Sequence, residues 1–223
     1  MPVIAAAVCP HPPLLVPEVA SGAAPELDDL RAACLAAIEH LSTAELLLVL
    51  GAGPSQRYDG SAGWSFAPYG AAGVRAGESV LPLSLAIGAW LVEQSKAAAV
   101  PRVYVAVDEA SAKCLELGRE IAAGNERIGL LVMGDGSARR SEHSPVHLHP
   151  RAEIFDTTVA TALAEADHAV LAALDPDLAT ELQAAGRAPW QVLAGVLQQT
   201  PLTGTLSYHA APYGVGYFVA TFT

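Results

Sequence analysis

The stretch at residues 45–51, ELLLVLG, is an apolar run that leads into a Gly-rich turn. A short apolar run closed by turn residues is typical of a buried β-strand. Three more runs share this character, at residues 3–9, 102–108 and 127–134. Strands buried along their whole length predict a sheet with helices on both faces.

The segments between these runs carry the spacing of helices. Residues 25–41 begin with a Pro that suits a first helical turn, and their apolar residues recur every three or four positions. Further helices are predicted at residues 81–96, 109–123, 152–174, 177–185 and 189–199.

Two β-like runs, residues 205–209 and 215–222, end the chain. Alternating strands and helices followed by a strand pair predict an α/β fold. The specific expectation is a three-layer αβα sandwich with a mixed central sheet and a C-terminal antiparallel strand pair. We expect one domain over residues 1–223, since neither a repeat nor a linker interrupts the pattern.

Residues 52–80 form a long Gly-rich segment that contains Trp64, Phe66 and Tyr69. Loops of this length in a compact domain are usually functional or mobile. The aromatic residues indicate a lid or a contact between protomers, because exposed aromatics are enriched at interfaces. A homo-oligomer is therefore one expectation.

Composition excludes several function classes. The 223 residues carry a formal net charge of −11, which would repel a phosphate backbone, so we expect no nucleic-acid partner. The longest apolar run, residues 3–9, is far shorter than the ~20 residues of a membrane span, so we expect no membrane segment. The three cysteines give no disulfide framework, and together with the lack of a signal-peptide pattern they favour the cytoplasm.

The first loop carries His11 between Pro10 and Pro12. The prolines restrict the backbone on both sides, which positions the imidazole as a metal ligand or catalytic base requires. The alternative is that His11 only forms hydrogen bonds within its loop.

The fourth run ends in Gly134-Asp135-Gly136-Ser137, and His209 lies at the end of a C-terminal strand. Two imidazoles and one carboxylate are what a non-haem Fe(II) or a Zn(II) centre requires, so His11, Asp135 and His209 are the candidate metal ligands. Asp59 is a weaker candidate carboxylate. The alternative is that His209 is solvated while Tyr208 and Tyr217 pack in the core.

The predicted pocket at the ends of the strands adds further candidates. His11, Asp135 and Ser137 are the candidate catalytic residues. Gln56, Tyr208 and Tyr213 are the candidate substrate-binding residues, for a small aromatic molecule.

Four motifs occur in an order that resembles a known family. They are Cys9-Pro10-His11-Pro12-Pro13-Leu14-Leu15, Gly53-Pro54-Ser55, Val132-Met133-Gly134-Asp135-Gly136-Ser137 and Tyr208 with Gly216-Tyr217. The chain resembles the class III extradiol ring-cleavage dioxygenases, in particular their catalytic LigB-type subunit, and it is also similar to the Memo-like proteins. The resemblance implies a mixed-sheet sandwich in which Fe(II), held by two His and one Glu, binds a catechol and dioxygen.

Within this resemblance, His11 matches the first iron ligand. The second ligand position looks to be Gln56, the catalytic His looks to be Ala138, and no Glu follows Glu181. Glutamine is a weak neutral ligand and alanine cannot transfer a proton. The resemblance therefore implies a dioxygenase-like oxidoreductase for a catecholic substrate with a degenerate Fe(II) or Zn(II) site. The alternative is an inactive domain, without a metal, that binds a small ligand or a protein partner.

Overall fold

The computed structural model describes residues 3–223, and a seven-stranded sheet forms its centre. Its strands are β1 (Val3–Cys9), β2 (Leu46–Ala52), β3 (Gln56–Tyr58), β6 (Arg102–Val107), β7 (Ile128–Met133), β8 (Gly204–Ala210) and β9 (Tyr217–Phe222). Their order across the sheet is β3-β6-β2-β7-β1-β9-β8. A separate hairpin pairs β4 (Trp64–Phe66) with β5 (Ala71–Ala76).

Eight α-helices surround the strands in the described part of the chain. They are α1 (Pro17–Ala20), α2 (Asp28–Glu39), α3 (Leu83–Glu93), α4 (Ser111–Ala122), α5 (Ala152–Ala164), α6 (His168–Ala172), α7 (Pro176–Leu182) and α8 (Arg187–Leu197). Short 3-10 turns lie at Pro13–Leu15, Ser21–Leu27 and Ala67–Tyr69. None of the helices within residues 3–223 combines the length and the apolar character that crossing a bilayer requires.

The sheet is mixed, as the sequence predicts. Strands β1, β2, β6 and β7 are parallel, whereas β3, β8 and β9 each run antiparallel to a neighbour. Alternate side chains of the central strands enter two separate cores, one with α4, α5 and α8 and one with α2 and α3. The predicted three-layer αβα sandwich and its C-terminal antiparallel pair are confirmed. The parallel strands all end at one side of the sheet, which we call the carboxyl edge.

The prediction of a long loop at residues 52–80 was wrong. This segment contains β3, β4 and β5. Trp64 is 4% exposed and Phe66 is fully buried, with their ring centroids 5.3 Å apart, so neither is available as a contact between protomers. Only Tyr69 of the three aromatics is exposed. Strands β3 and β4 have only three residues each, which is too short to show a clear alternating pattern in the sequence.

The prediction of one helix over residues 152–174 was also wrong. Helix α5 ends at Ala164, Ala166 takes a left-handed backbone with a φ of 52°, and α6 begins at His168. The Asp167 carboxylate accepts hydrogen bonds from the backbone N–H groups of Ala169 and Val170. The Asp167 cap starts a second helix. The apolar residues on either side keep their helical spacing in the sequence, so this spacing alone does not show the break.

Candidate functional site

The first and fourth predicted strands bring two candidate residues together at the carboxyl edge. Strands β1 and β7 are parallel neighbours, with Cys9 opposite Met133. The pairing continues one step further, because the Gly134 N–H donates to the Cys9 carbonyl at 2.9 Å. The loops that carry His11 and Asp135 therefore leave the sheet side by side.

His11 and Asp135 form a close pair. The His11 backbone N–H donates to Asp135 Oδ1 at 2.7 Å, and the His11 Nε2 atom lies 3.7 Å from Asp135 Oδ2. His11 is only 7% exposed. Its Nδ1 atom is buried and has no hydrogen-bond partner within residues 3–223. The pair thus combines a fixed carboxylate with an imidazole whose second nitrogen keeps its hydrogen-bonding capacity.

Burial sets the electrostatics of this pair. It raises the pKa of Asp135, and the opposing effects of the His11 side chain and the His11 backbone N–H are smaller. The pKa of Tyr217 is also raised, mainly by burial and then by the charge of Asp135. A protonated Tyr217 phenol therefore lies in the field of Asp135 at neutral pH. Groups with shifted pKa values at the end of a sheet are candidates for a functional site.

Ser137 holds the loop after β7 in place. Its backbone N–H donates to Asp156 Oδ1 at 2.8 Å, and its hydroxyl donates to the Leu182 carbonyl at 3.4 Å. The same hydroxyl accepts the Arg139 N–H at 3.1 Å. These contacts assign Ser137 a structural role, and its predicted catalytic role stays a prediction.

The other two polar candidates lie on different strands. Gln56 is an exposed residue of β3, four strand positions from β1, which is a separation of roughly 19 Å between the strands. His209 is an exposed residue of β8, two strand positions from β1, and its ring stacks on Phe218 with centroids 5.0 Å apart. Phe218 belongs to the core on the α5 and α8 face, whereas Tyr208 packs on the α2 face.

The predicted metal centre is not assembled. Within residues 3–223 no three His, Cys, Asp or Glu side chains lie in an arrangement that could hold a metal ion. The iron site that the resemblance implies needs two imidazoles and a carboxylate, and only His11 and Asp135 meet. Because only two of the three donors that such a site needs come together among the described residues, they do not fit an Fe(II) or Zn(II) site of this kind.

The two tyrosines predicted to bind substrate occupy different surroundings. Tyr208 is half-buried against the α2 core. The Tyr213 hydroxyl donates to Glu26 Oε2 at 2.8 Å, and this contact ties the turn before β9 to the segment before α2. Neither contact involves His11, so substrate binding by these residues also stays a prediction.

A cavity of about 380 Å³ opens at the carboxyl ends of β2 and β6. We call it the edge cavity. Its walls come from the ends of these two strands and from the connection between α7 and α8. The lining residues are Ala52, Gly53, Val107, Asp108, Ala179, Thr180, Gln183, Ala184, Ala185, Arg187 and Ala188.

The edge cavity adjoins the His11–Asp135 pair through one backbone contact. The Gly186 N–H, in the connection between α7 and α8, donates to the Asp135 carbonyl at 2.8 Å. The edge cavity is not among the sites that the sequence predicts. Asp108 could have indicated this site, because its carboxylate lies at the end of the third predicted strand, where ligands of α/β folds usually bind.

Comparisons with known proteins give the fold but no family. No family model matches the chain, and none of the curated proteins matches it. The structure is similar to the crystal structure of the uncharacterized protein JW3007 from Escherichia coli K12. The TM-score is 0.64, with 15% identity over 98% of this chain and 99% of that chain. A likeness at this level of identity concerns the fold and not the function.

Proposed function

We propose that this protein binds a small organic molecule in the edge cavity and that it acts as a ligand-binding domain without a ring-cleaving iron centre. The observation that carries the proposal is a cavity of about 380 Å³ at the carboxyl edge of the sheet. Small-ligand sites have volumes of roughly 300–1,000 Å³ and commonly lie at this edge of α/β folds.

The chemistry of the walls supports a small ligand with an apolar body. Ala52, Val107, Ala179, Ala184 and Ala188 give apolar surface, and the short alanine side chains leave room for a flat ring. Polar surface is nearly as extensive, and its side chains are those of Asp108, Thr180, Gln183 and Arg187. Walls that are polar and apolar in about equal measure suit a small ligand that itself has both a polar and an apolar part.

The incomplete metal site supports binding over ring cleavage. Of the three predicted ligands only His11 and Asp135 meet, and the resemblance to the dioxygenases matches their catalytic His to Ala138. Ring cleavage of a catechol stays a prediction of the resemblance. It has a direct test, because cleavage by protein supplied with Fe(II) consumes dioxygen and changes the ultraviolet spectrum of the catechol.

We also propose that the protein works in the cytoplasm. Cys9, Cys34 and Cys114 are all free and buried. Free thiols in this number suit a reducing compartment.

The binding proposal is tested by screening a library of small acids, amides and phenols against isotope-labelled protein by NMR. We expect the hits to shift the backbone amides of Gly53, Asp108, Thr180 and Ala188. Ala184→Leu should fill the cavity and weaken these hits at least about tenfold. Ala173→Leu makes the same change at an exposed site outside the cavity and should leave them unchanged.

Three outcomes would overturn the proposal. The first is a screen in which no compound shifts the cavity amides. The second is binding that survives Ala184→Leu. The third is dioxygen uptake with a catechol by the Fe(II)-supplied protein, abolished by His11→Ala, which would restore the ring-cleavage prediction.

A further inference from the structure

The edge cavity contains a guanidinium that is fixed in position and only partly used. Arg187 begins α8, and its side chain is 13% exposed. Its Nη1 atom donates to the Glu109 backbone carbonyl at 2.6 Å and to Gln191 Oε1 at 3.2 Å. Every hydrogen bond that this guanidinium makes within residues 3–223 uses Nη1. The Nε and Nη2 donors therefore remain for a ligand.

The two neighbouring carboxylates leave those donors free. Asp108 Oδ1 lies 3.7 Å from Arg187 Nη2, beyond hydrogen-bond length, and the Asp108 side chain is 76% exposed. The Glu109 carboxylate accepts a hydrogen bond from Lys113 Nζ at 3.2 Å. The guanidinium thus has its position set by two neutral oxygens, while its charge is only loosely compensated by Asp108.

We infer that the edge cavity selects a small monocarboxylate with an apolar body, and that Arg187 binds the carboxylate in competition with Asp108. This inference rests on the proposed function of the cavity. A guanidinium presents two parallel N–H groups that match a carboxylate, and such charged pairs are stronger than neutral hydrogen bonds. The alanine walls would then contact the apolar part of the ligand.

Competition between Asp108 and the ligand predicts the direction in which affinity changes when the Asp108 charge is removed. A ligand carboxylate that reaches Nε and Nη2 must displace Asp108 or tolerate its negative charge nearby. Like charges at such distances repel, so removing the Asp108 charge should tighten binding of an anion. A neutral ligand should gain little from the same change.

The experiment uses benzoate and benzamide, which share size and shape and differ in charge. Binding to the full chain is measured by NMR titration of the cavity amides. We expect benzoate to bind at least about tenfold more tightly than benzamide, the difference that a charged hydrogen-bonded pair gives. Asp108→Asn should tighten benzoate several-fold and leave benzamide within about twofold.

Arg187→Gln should remove the preference for benzoate. Arg119→Gln changes the charge equally at an exposed site on α4 and should preserve it. Because Arg187 also fixes the Glu109 backbone, Arg187→Gln could unfold the protein, whereas Asp108 is exposed and its change leaves the fold intact. Asp108→Asn therefore keeps the inference testable.

The outcomes distinguish a failure of the carboxylate inference from a failure of the proposed function. Equal affinities for both probes, or weaker benzoate binding in Asp108→Asn, would overturn the carboxylate inference and leave the binding proposal standing. If neither probe shifts the cavity amides, the carboxylate inference fails. Among these NMR results, the proposed function fails as well when the wider library also leaves these amides unshifted.

Discussion

The backbone N–H of His11 donates to Oδ1 of Asp135 at 2.7 Å, although the two residues are 124 positions apart in the chain. The contact depends on the parallel pairing of β1 with β7 and not on the imidazole. It therefore fixes the Asp135 carboxylate whatever the state of the His11 side chain. The carboxylate is held in surroundings that disfavour its charge, since burial raises its pKa.

We predict that Asp135→Asn stabilises the protein increasingly as the pH rises from 4 to 7. A raised pKa means that the folded state holds the Asp135 proton more tightly than the unfolded state. The stability from this group is then present at low pH and is lost as the pH rises through the folded pKa. Asparagine keeps an oxygen for the His11 N–H and carries no charge. The melting temperature at pH 7 should rise by roughly 2–4 °C, the effect of about 1 kcal/mol in a domain of this size.

The comparison is made by thermal unfolding of wild type and variant at several pH values. Glu116→Gln, at an exposed position in the middle of α4, is the control and should show a flat difference. A variant whose stability relative to wild type falls as the pH rises would show that the Asp135 charge is stabilising.

The sequence could predict the His11–Asp135 pair for a simple reason. Buried strands at residues 3–9 and 127–134 are parallel in this kind of fold, and their carboxyl ends share an edge. Apolar runs fix which segments are strands, so the fold class could also be predicted.

The order of strands in the sheet could not be predicted in this way. Gln56 and His209 also lie close to strand ends, and their distance from His11 depends on which strands are neighbours. Periodicity carries no information on that order. The edge cavity escaped prediction for a related reason, because its walls join Asp108 to Arg187, which are far apart in the sequence.

Two carboxylates on α5 contact Arg140, and we predict that they contribute very differently to the free energy of unfolding. Asp156 is fully buried and accepts from Arg140 Nη1 at 3.0 Å and from the Ser137 N–H at 2.8 Å. Glu153 is 79% exposed and lies 3.7 Å from Arg140 Nη2. Asp156→Ala removes the closer partner of the mostly buried Arg140 guanidinium and leaves the Ser137 N–H unpaired, at a cost of about 3 kcal/mol. Glu153→Ala should cost less than about 1 kcal/mol.

Urea unfolding of both variants measures these costs. Glu153→Ala is the matched control, since it removes a carboxylate from the same helix and the same arginine. Equal losses in the two variants would contradict the prediction.

The reactivity of the three cysteines tests how readily the core opens to a reagent in solution. Cys9, Cys34 and Cys114 are fully buried, and burial raises the pKa of Cys34 and of Cys114. Because the thiolate is the reactive form, we predict that a thiol reagent modifies none of them in the folded protein on a timescale of minutes. All three should react at once in concentrated guanidinium chloride. Rapid modification of any thiol under native conditions would show that the core opens more readily than its packing indicates.

Helices α4 and α8 meet at two glycines, and we predict that the contact does not tolerate a methyl group. A Cβ on Gly118 would lie 2.1 Å from the Val192 carbonyl oxygen and 2.8 Å from the Gly195 Cα. Backbone atoms cannot rotate away, so the two helices would have to separate. Gly118→Ala should destabilise the protein by at least about 2 kcal/mol, although an exposed helical Gly→Ala change normally stabilises by up to about 1 kcal/mol. Gly73→Ala, where nothing lies within 4 Å, is the control and should be neutral or slightly stabilising in the same unfolding measurement. A stabilising effect of Gly118→Ala would show that the helices are further apart than described.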